Sequence, residues 1–113
     1  MARKTPTPLA GRPVRGSRSG RPIMALLDLL GRRWTLRVAW ELREGPLPFR
    51  ELQARCGVAP SVLNTRLAEL REALIVELGD DGYRLSARGA ELLELFTPVS
   101  RWAESWARAS RKA

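Results

Sequence analysis

Apolar residues recur through the middle of the chain at helical spacing, then switch to alternation near residue 75. Ile23, Met24, Leu27 and Leu30 mark a short amphipathic helix that starts at Pro22 and stops near Gly31. Trp34, Leu36, Val38, Ala39, Trp40 and Leu42 cover most of the circumference of a second helix, from about Arg33 to Arg43, which predicts a central buried position. Phe49, Leu52 and Cys56 lie on one face of a third helix. Leu63, Leu67, Leu70 and Leu74 lie on one face of a fourth. Gly57 permits a sharp turn between these two, and Pro60 suits a first helical turn, where a missing N–H costs nothing.

After Leu74, Val76-Glu77-Leu78 and Tyr83-Arg84-Leu85 alternate apolar and polar around Gly79-Asp80-Asp81-Gly82, a hairpin pattern. Ser86 is placed to cap a last helix. That helix carries Leu92, Phe96, Val99, Ala103 and Trp106 at spacings of four and three, with Pro98 where it would kink the axis. The expected fold class is mainly α with a small antiparallel hairpin: a winged helix-turn-helix over residues 21–113, preceded by a disordered arm over 1–20.

A helix-turn-helix puts its second helix in the major groove, so double-stranded DNA is the expected partner. With the leucines facing inward, Ser61, Thr65, Ala68 and Glu72 face outward, with Asn64 beside them. Ser61, Asn64 and Thr65, in the polar N-terminal half, are the candidate base readers. Asn matches the donor and acceptor of adenine, and Thr offers a hydroxyl and a methyl. Arg32, Arg33, Arg50, Arg66 and Arg84 are candidate phosphate contacts. Glu69 and Glu72 would be costly near phosphates.

Charge sharpens this picture. The 113 residues carry 20 Lys plus Arg against 12 Asp plus Glu, a net +8. Six of the cations lie in the first 21 residues, which hold no acid. Arg12, Arg15, Arg18 and Arg21 thus form a basic arm suited to phosphates. Gly11-Arg12-Pro13 and Gly20-Arg21-Pro22 partly match a minor-groove hook, although Ala10 and Ser19 stand where its first arginine belongs. The chain has one cysteine and no histidine, so disulfide frameworks and histidine-based metal or nucleophile sites are excluded. No enzymatic activity, cofactor or metal is expected. The longest apolar run, Ile23 to Leu30, is too short for a membrane span, and a cytoplasmic location is expected.

Leu27-Asp28-Leu29-Leu30-Gly31-Arg32-Arg33-Trp34-Thr35 resembles the D-x-I-G-G-K-W-T signature of the HxlR-type winged-helix regulators, relatives of the MarR class. Phe49-Arg50-Glu51-Leu52, Val62 to Leu70 and Tyr83-Arg84-Leu85-Ser86 match further family segments in order. The resemblance covers roughly residues 21–107 and implies a homodimeric DNA-binding transcriptional regulator. The first and last helices would then form the dimer, with Phe96, Val99, Trp102 and Trp106 as anchors, on a pseudo-palindromic operator.

Two departures stand out. Many members carry a cysteine just before the first helix, where this chain has Gly20 or Arg21. Its only thiol, Cys56, sits on a core face, so thiol sensing is not expected. The wing is short and its tip is acidic. Trp34 and Trp40 are read as core rather than as the lining of an effector pocket, and no effector is identified. Two alternatives remain open at this point: a non-specific architectural protein that relies on the arm, and a winged helix used for protein contact.

Overall fold

The computed structural model describes residues 6–112. Its elements run α1 (Pro22–Leu30), α2 (Thr35–Glu41), α3 (Phe49–Cys56), α4 (Pro60–Glu72), β1 (Val76–Gly79), β2 (Gly82–Leu85) and α5 (Ala87–Lys112). Arg3 and Lys4 of the basic leader lie outside the described residues. The order matches that predicted from periodicity. The second helix starts two residues later than its apolar pattern suggests, because Trp34 takes a left-handed conformation at φ 75° and ends the preceding turn.

The core is built from the inward faces of α2, α3 and α4. Val38, Leu42, Leu52, Leu63, Leu67 and Leu70 are fully buried there, and Val76 from the wing and Leu93 from α5 close it. Gly57 makes the turn between α3 and α4 at φ 68°, and its N–H donates to the Gln53 carbonyl. Trp34 and Trp40 reach the core from its edge and stay partly exposed, with the Arg33 and Arg43 guanidiniums over their rings at 5.2 and 4.2 Å.

Leu74 departs from the pattern. It continues the leucine stripe of α4 on paper, yet it is 71% exposed. The helix ends at Glu72 and Leu74 turns left-handed, at φ 66°. The Leu74 N–H donates to Arg71, and the Ile75 N–H reaches back to Leu70. These two bonds form a Schellman closure that rotates Leu74 out and puts Ile75 in its place.

The wing pairs Val76 with Leu85 and Gly79 with Gly82 in antiparallel register. Leu47 joins as a one-residue third strand through paired bonds to Tyr83, both 2.9 Å. The Ser86 hydroxyl accepts the Gly89 N–H and donates to the Leu74 carbonyl, capping α5 and tying it to the end of α4. The helix continues through Pro98. No helix among the described residues is long and apolar enough to cross a membrane.

Residues 6–20 were expected to be disordered, but here they form a loop folded back on the domain. The Gly11 N–H donates to Gly20, Val14 pairs with Ser17, and the Arg15 N–H donates to the Asp28 carboxylate on α1. Thr7 and Pro8 are buried. Gly20, at φ 74°, presses against the Arg12 backbone so closely that a Cβ would come within 2.3 Å of its carbonyl oxygen. Local hydrogen bonds and glycine turns therefore supply an order that the polar, Pro-rich composition hides.

Candidate nucleic-acid interface

The stripe Leu63, Leu67 and Leu70 fixes the rotation of α4 about its axis. Ser61, Asn64, Ala68 and Glu72 are thereby exposed, and Thr65 is half-buried beside them. The Asn64 side chain makes no hydrogen bond among the described residues, so its amide keeps both donor and acceptor available. The Thr65 hydroxyl donates to the Ser61 carbonyl at 3.0 Å, which leaves its oxygen as an acceptor.

The candidate phosphate residues divide into three kinds. Arg50 and Arg33 are exposed and have no carboxylate partner among the described residues. Arg84 is exposed but held within the wing, its Nε 2.8 Å from Glu77 and its Nη1 3.9 Å from Asp81. The Glu77 hydrogen bond raises its pKa further, and Asp80 and Asp81 leave the wing tip net negative. Arg32 and Arg66 turn inward. The Arg32 Nη1 lies 2.6 Å from the Glu69 Oε2, and the Arg66 Nη1 lies 3.3 Å from the Oε1.

Glu69 was missed as an anchor by sequence reasoning. It is the only acidic residue buried among the described residues, at 7% exposure. Two guanidiniums neutralise it, so it adds no bare negative charge to the outer face of α4. Arg32 also donates to the Pro6 carbonyl at 2.6 Å, so a single side chain ties the N-terminal loop, the α1–α2 turn and α4 together. The Arg66-x-x-Glu69 spacing was a readable signal of one pair. The partner from the α1–α2 turn, 37 residues away, left no local trace. Glu72, the other acid of concern, faces Arg12 of the loop at 3.6 Å.

Of the other arm residues, Arg15 extends into solvent, with its Nε 4.0 Å from Asp28, and Arg18 and Arg21 are exposed. Between the loop and α4 lies an open cleft of about 990 Å³. Its walls include Pro6, Val14 and Arg15 on one side and Ser61, Thr65 and Arg66 on the other.

The proposed dimer anchors occupy one side of α5. Val99, Trp102 and Trp106 are exposed, and the two indoles stack at 6.0 Å, tilted by 10°. Phe96 is half-buried and shares a shallow groove with Leu36 and Trp40 of its own subunit. Cys56 is buried. Desolvation pushes its thiol pKa up, Arg37 opposes that shift and Glu41 adds to it, so the thiol stays protonated at neutral pH.

The chain matches the family model described as HxlR-like helix-turn-helix over residues 29–111. An uncharacterized HTH-type transcriptional regulator of Methanocaldococcus jannaschii is 28% identical over 88 residues, covering 74% of this chain and 83% of that one. The quinone-bound structure of YodB from B. subtilis superposes with a TM-score of 0.69 at 30% identity, covering 74% of this chain and 96% of that chain. A possible HxlR family transcriptional factor from Thermoplasma volcanium shares the fold, with a TM-score of 0.65 at 21% identity over 74% of this chain and 82% of that chain. The protein is a transcriptional regulator that belongs to the HxlR-like helix-turn-helix family.

Proposed function

We propose that the protein acts as a homodimer that binds a pseudo-palindromic DNA operator sequence-specifically. In this reading α4 enters the major groove, with Ser61, Asn64 and Thr65 reading bases. Arg33 and Arg50 contact phosphates, and the basic loop with Arg12, Arg15, Arg18 and Arg21 adds sequence-independent attraction. Arg32 and Arg66 act by holding α4 in place through Glu69, and Arg84 reaches the backbone only by leaving its carboxylate partners. The acidic wing tip stays away from the duplex. The observation that carries the reading is the outer edge of α4, where the Asn64 side chain stands exposed and without a hydrogen bond among the described residues while the opposite leucines are buried.

Selection of bound sequences from a random duplex library tests the reading. The expected result is two inverted half-sites separated by about one helical turn, roughly 34–36 Å. Replacing Asn64 and Thr65 with alanine should lower preference for the selected site by about 1–3 kcal/mol per lost base contact. The slope of log affinity against log salt should barely change, because no phosphate contact is removed. Equal binding to random and selected duplexes would instead favour an architectural role.

A further inference from the structure

Of the residues that α4 turns outward, Ser61, Asn64, Thr65, Ala68 and Glu72, only Glu72 is charged. A bare carboxylate there opposes the approach of a phosphate backbone. Among the described residues it pairs with one cation, Arg12 of the N-terminal loop, at 3.6 Å. Arg71 and Glu77 line a groove beside it, and Arg71 forms no ion pair with it. The loop is built to put Arg12 in this place. The Gly11 N–H donates to the Gly20 carbonyl at 3.0 Å, and the Arg12 N–H to the Leu9 carbonyl at 3.3 Å. Gly20, at φ 74°, lies against the Arg12 backbone, where a Cβ would come within 2.3 Å of the Arg12 oxygen and 2.4 Å of its nitrogen. The Arg12 Nη1 donates to the carbonyl of the buried Thr7, and its Nη2 faces Glu72. The loop thus orders both the backbone and the guanidinium of Arg12 before any partner arrives, so little of that freedom is left to lose on binding.

We infer that Arg12, set in place by the Gly20 closure, is a positioning residue for duplex binding: its pair with Glu72 cancels the one charge on the outward face of α4 and docks the basic loop beside that face. This deepens the proposed function and rests on α4 as the helix that meets DNA. The role differs from that of Arg18, which is exposed, has no carboxylate partner among the described residues and adds charge alone. It differs also from a contribution to stability, since an exposed pair of this kind holds the fold by no more than about 1 kcal/mol.

A double-mutant cycle tests the role, on the full chain with a fluorescently labelled mixed-sequence duplex, read by anisotropy at about 0.1 M salt. Arg12→Gln should raise the dissociation constant at least about threefold in the parent, and less than about 1.5-fold in a Glu72→Gln background, where the charge it cancels is gone. Gly20→Ala changes no charge. It should weaken binding at least about threefold by dislodging Arg12, and should lose that effect when combined with Glu72→Gln. Arg18→Gln, the control, should act by the same factor in both backgrounds. Without DNA, exchange of the Gly11 amide should quicken at least about tenfold in Gly20→Ala, while the α4 amides stay as protected as in the parent. Equal factors for Arg12→Gln in the two backgrounds mean that the charges merely add, and overturn the positioning role. Duplex binding indifferent to Gly20→Ala, with the Gly11 amide freed, overturns it as well. A Gly11 amide that exchanges as in the parent overturns the Gly20 closure. A parent that binds no duplex refutes the DNA reading, and this inference with it, before any substitution is made.

Discussion

The inner face of α4 and the outer face of α5 are written in the same alphabet and end in opposite environments. Leu63, Leu67 and Leu70 recur at intervals of four and three and are at most 1% exposed. Val99, Trp102 and Trp106 recur at intervals of three and four, yet are 51–65% exposed. The helix-turn-helix completes its core within one chain. The last helix carries a comparable apolar seam past the end of that core, where no described residue covers it. Apolar periodicity thus reports that a face will be covered without saying by what, and large exposed apolar patches mark interaction sites.

Substitutions that act through different equilibria separate the two faces most sharply. Leu63→Ala leaves a cavity in a packed interior, so urea unfolding should show a loss of about 2–5 kcal/mol. Trp106→Glu should leave the fold in place and act on assembly. Removing a stacked indole and adding a charge should raise the dimer dissociation constant by at least about 30-fold, some 2 kcal/mol, as read by sedimentation across a concentration series. A Trp106→Glu protein that sediments like the parent at every concentration would break the comparison, leaving the α5 seam uncovered.

A second contrast separates the two acids in the C-terminal half of α4. Glu69 is buried between two guanidiniums, whereas Glu72 meets Arg12 in water at 3.6 Å, with both side chains nearly half exposed. Glu69→Gln strands the positive charge of Arg32 and Arg66 and should cost about 2–3 kcal/mol, below the full range for buried pairs because the arginine heads keep some access to solvent. Glu72→Gln should cost no more than about 0.5 kcal/mol. Thermal unfolding of both variants at one salt concentration checks the ratio, and raising the salt should shrink only the smaller effect.

What was legible in the sequence was local. Periodicity fixed the order of helices and hairpin, Gly57 and Pro60 marked the turn, and Ser86 marked the start of α5, because each acts within a few residues of itself. The outer residues of α4 followed from its leucines by rotation alone. Hidden features came from contacts between distant segments. The pairing of Arg32 with Glu69 leaves no local trace because the two lie 37 positions apart. Residues 6–20 looked disordered because their order rests on Asp28, on α4 and on glycine turns rather than on an apolar pattern of their own. The Glu69 cluster and the cleft beside it arise from the same long-range pairing.

Leu74 gives the smallest effect and tests why the stripe on α4 stops where it does. The left-handed conformation at the end of a helix suits glycine, and a β-carbon there costs roughly 1–2 kcal/mol. Leu74 bears that cost at φ 66° and recovers little by burial, being 71% exposed. Glycine would relieve the strain, but it adds freedom to the unfolded chain worth about 0.5–1 kcal/mol. Leu74→Gly should therefore stabilise the protein by at most about 1 kcal/mol, seen as a small rise in the urea midpoint at unchanged m-value. Leu74→Val should move the midpoint the other way, because a β-branched residue tolerates a positive φ less well. If Leu74→Gly destabilises the protein by more than about 1 kcal/mol, the exposed leucine is covered by something outside the subunit. The end of α4 would then belong with the α5 seam rather than with the closed core.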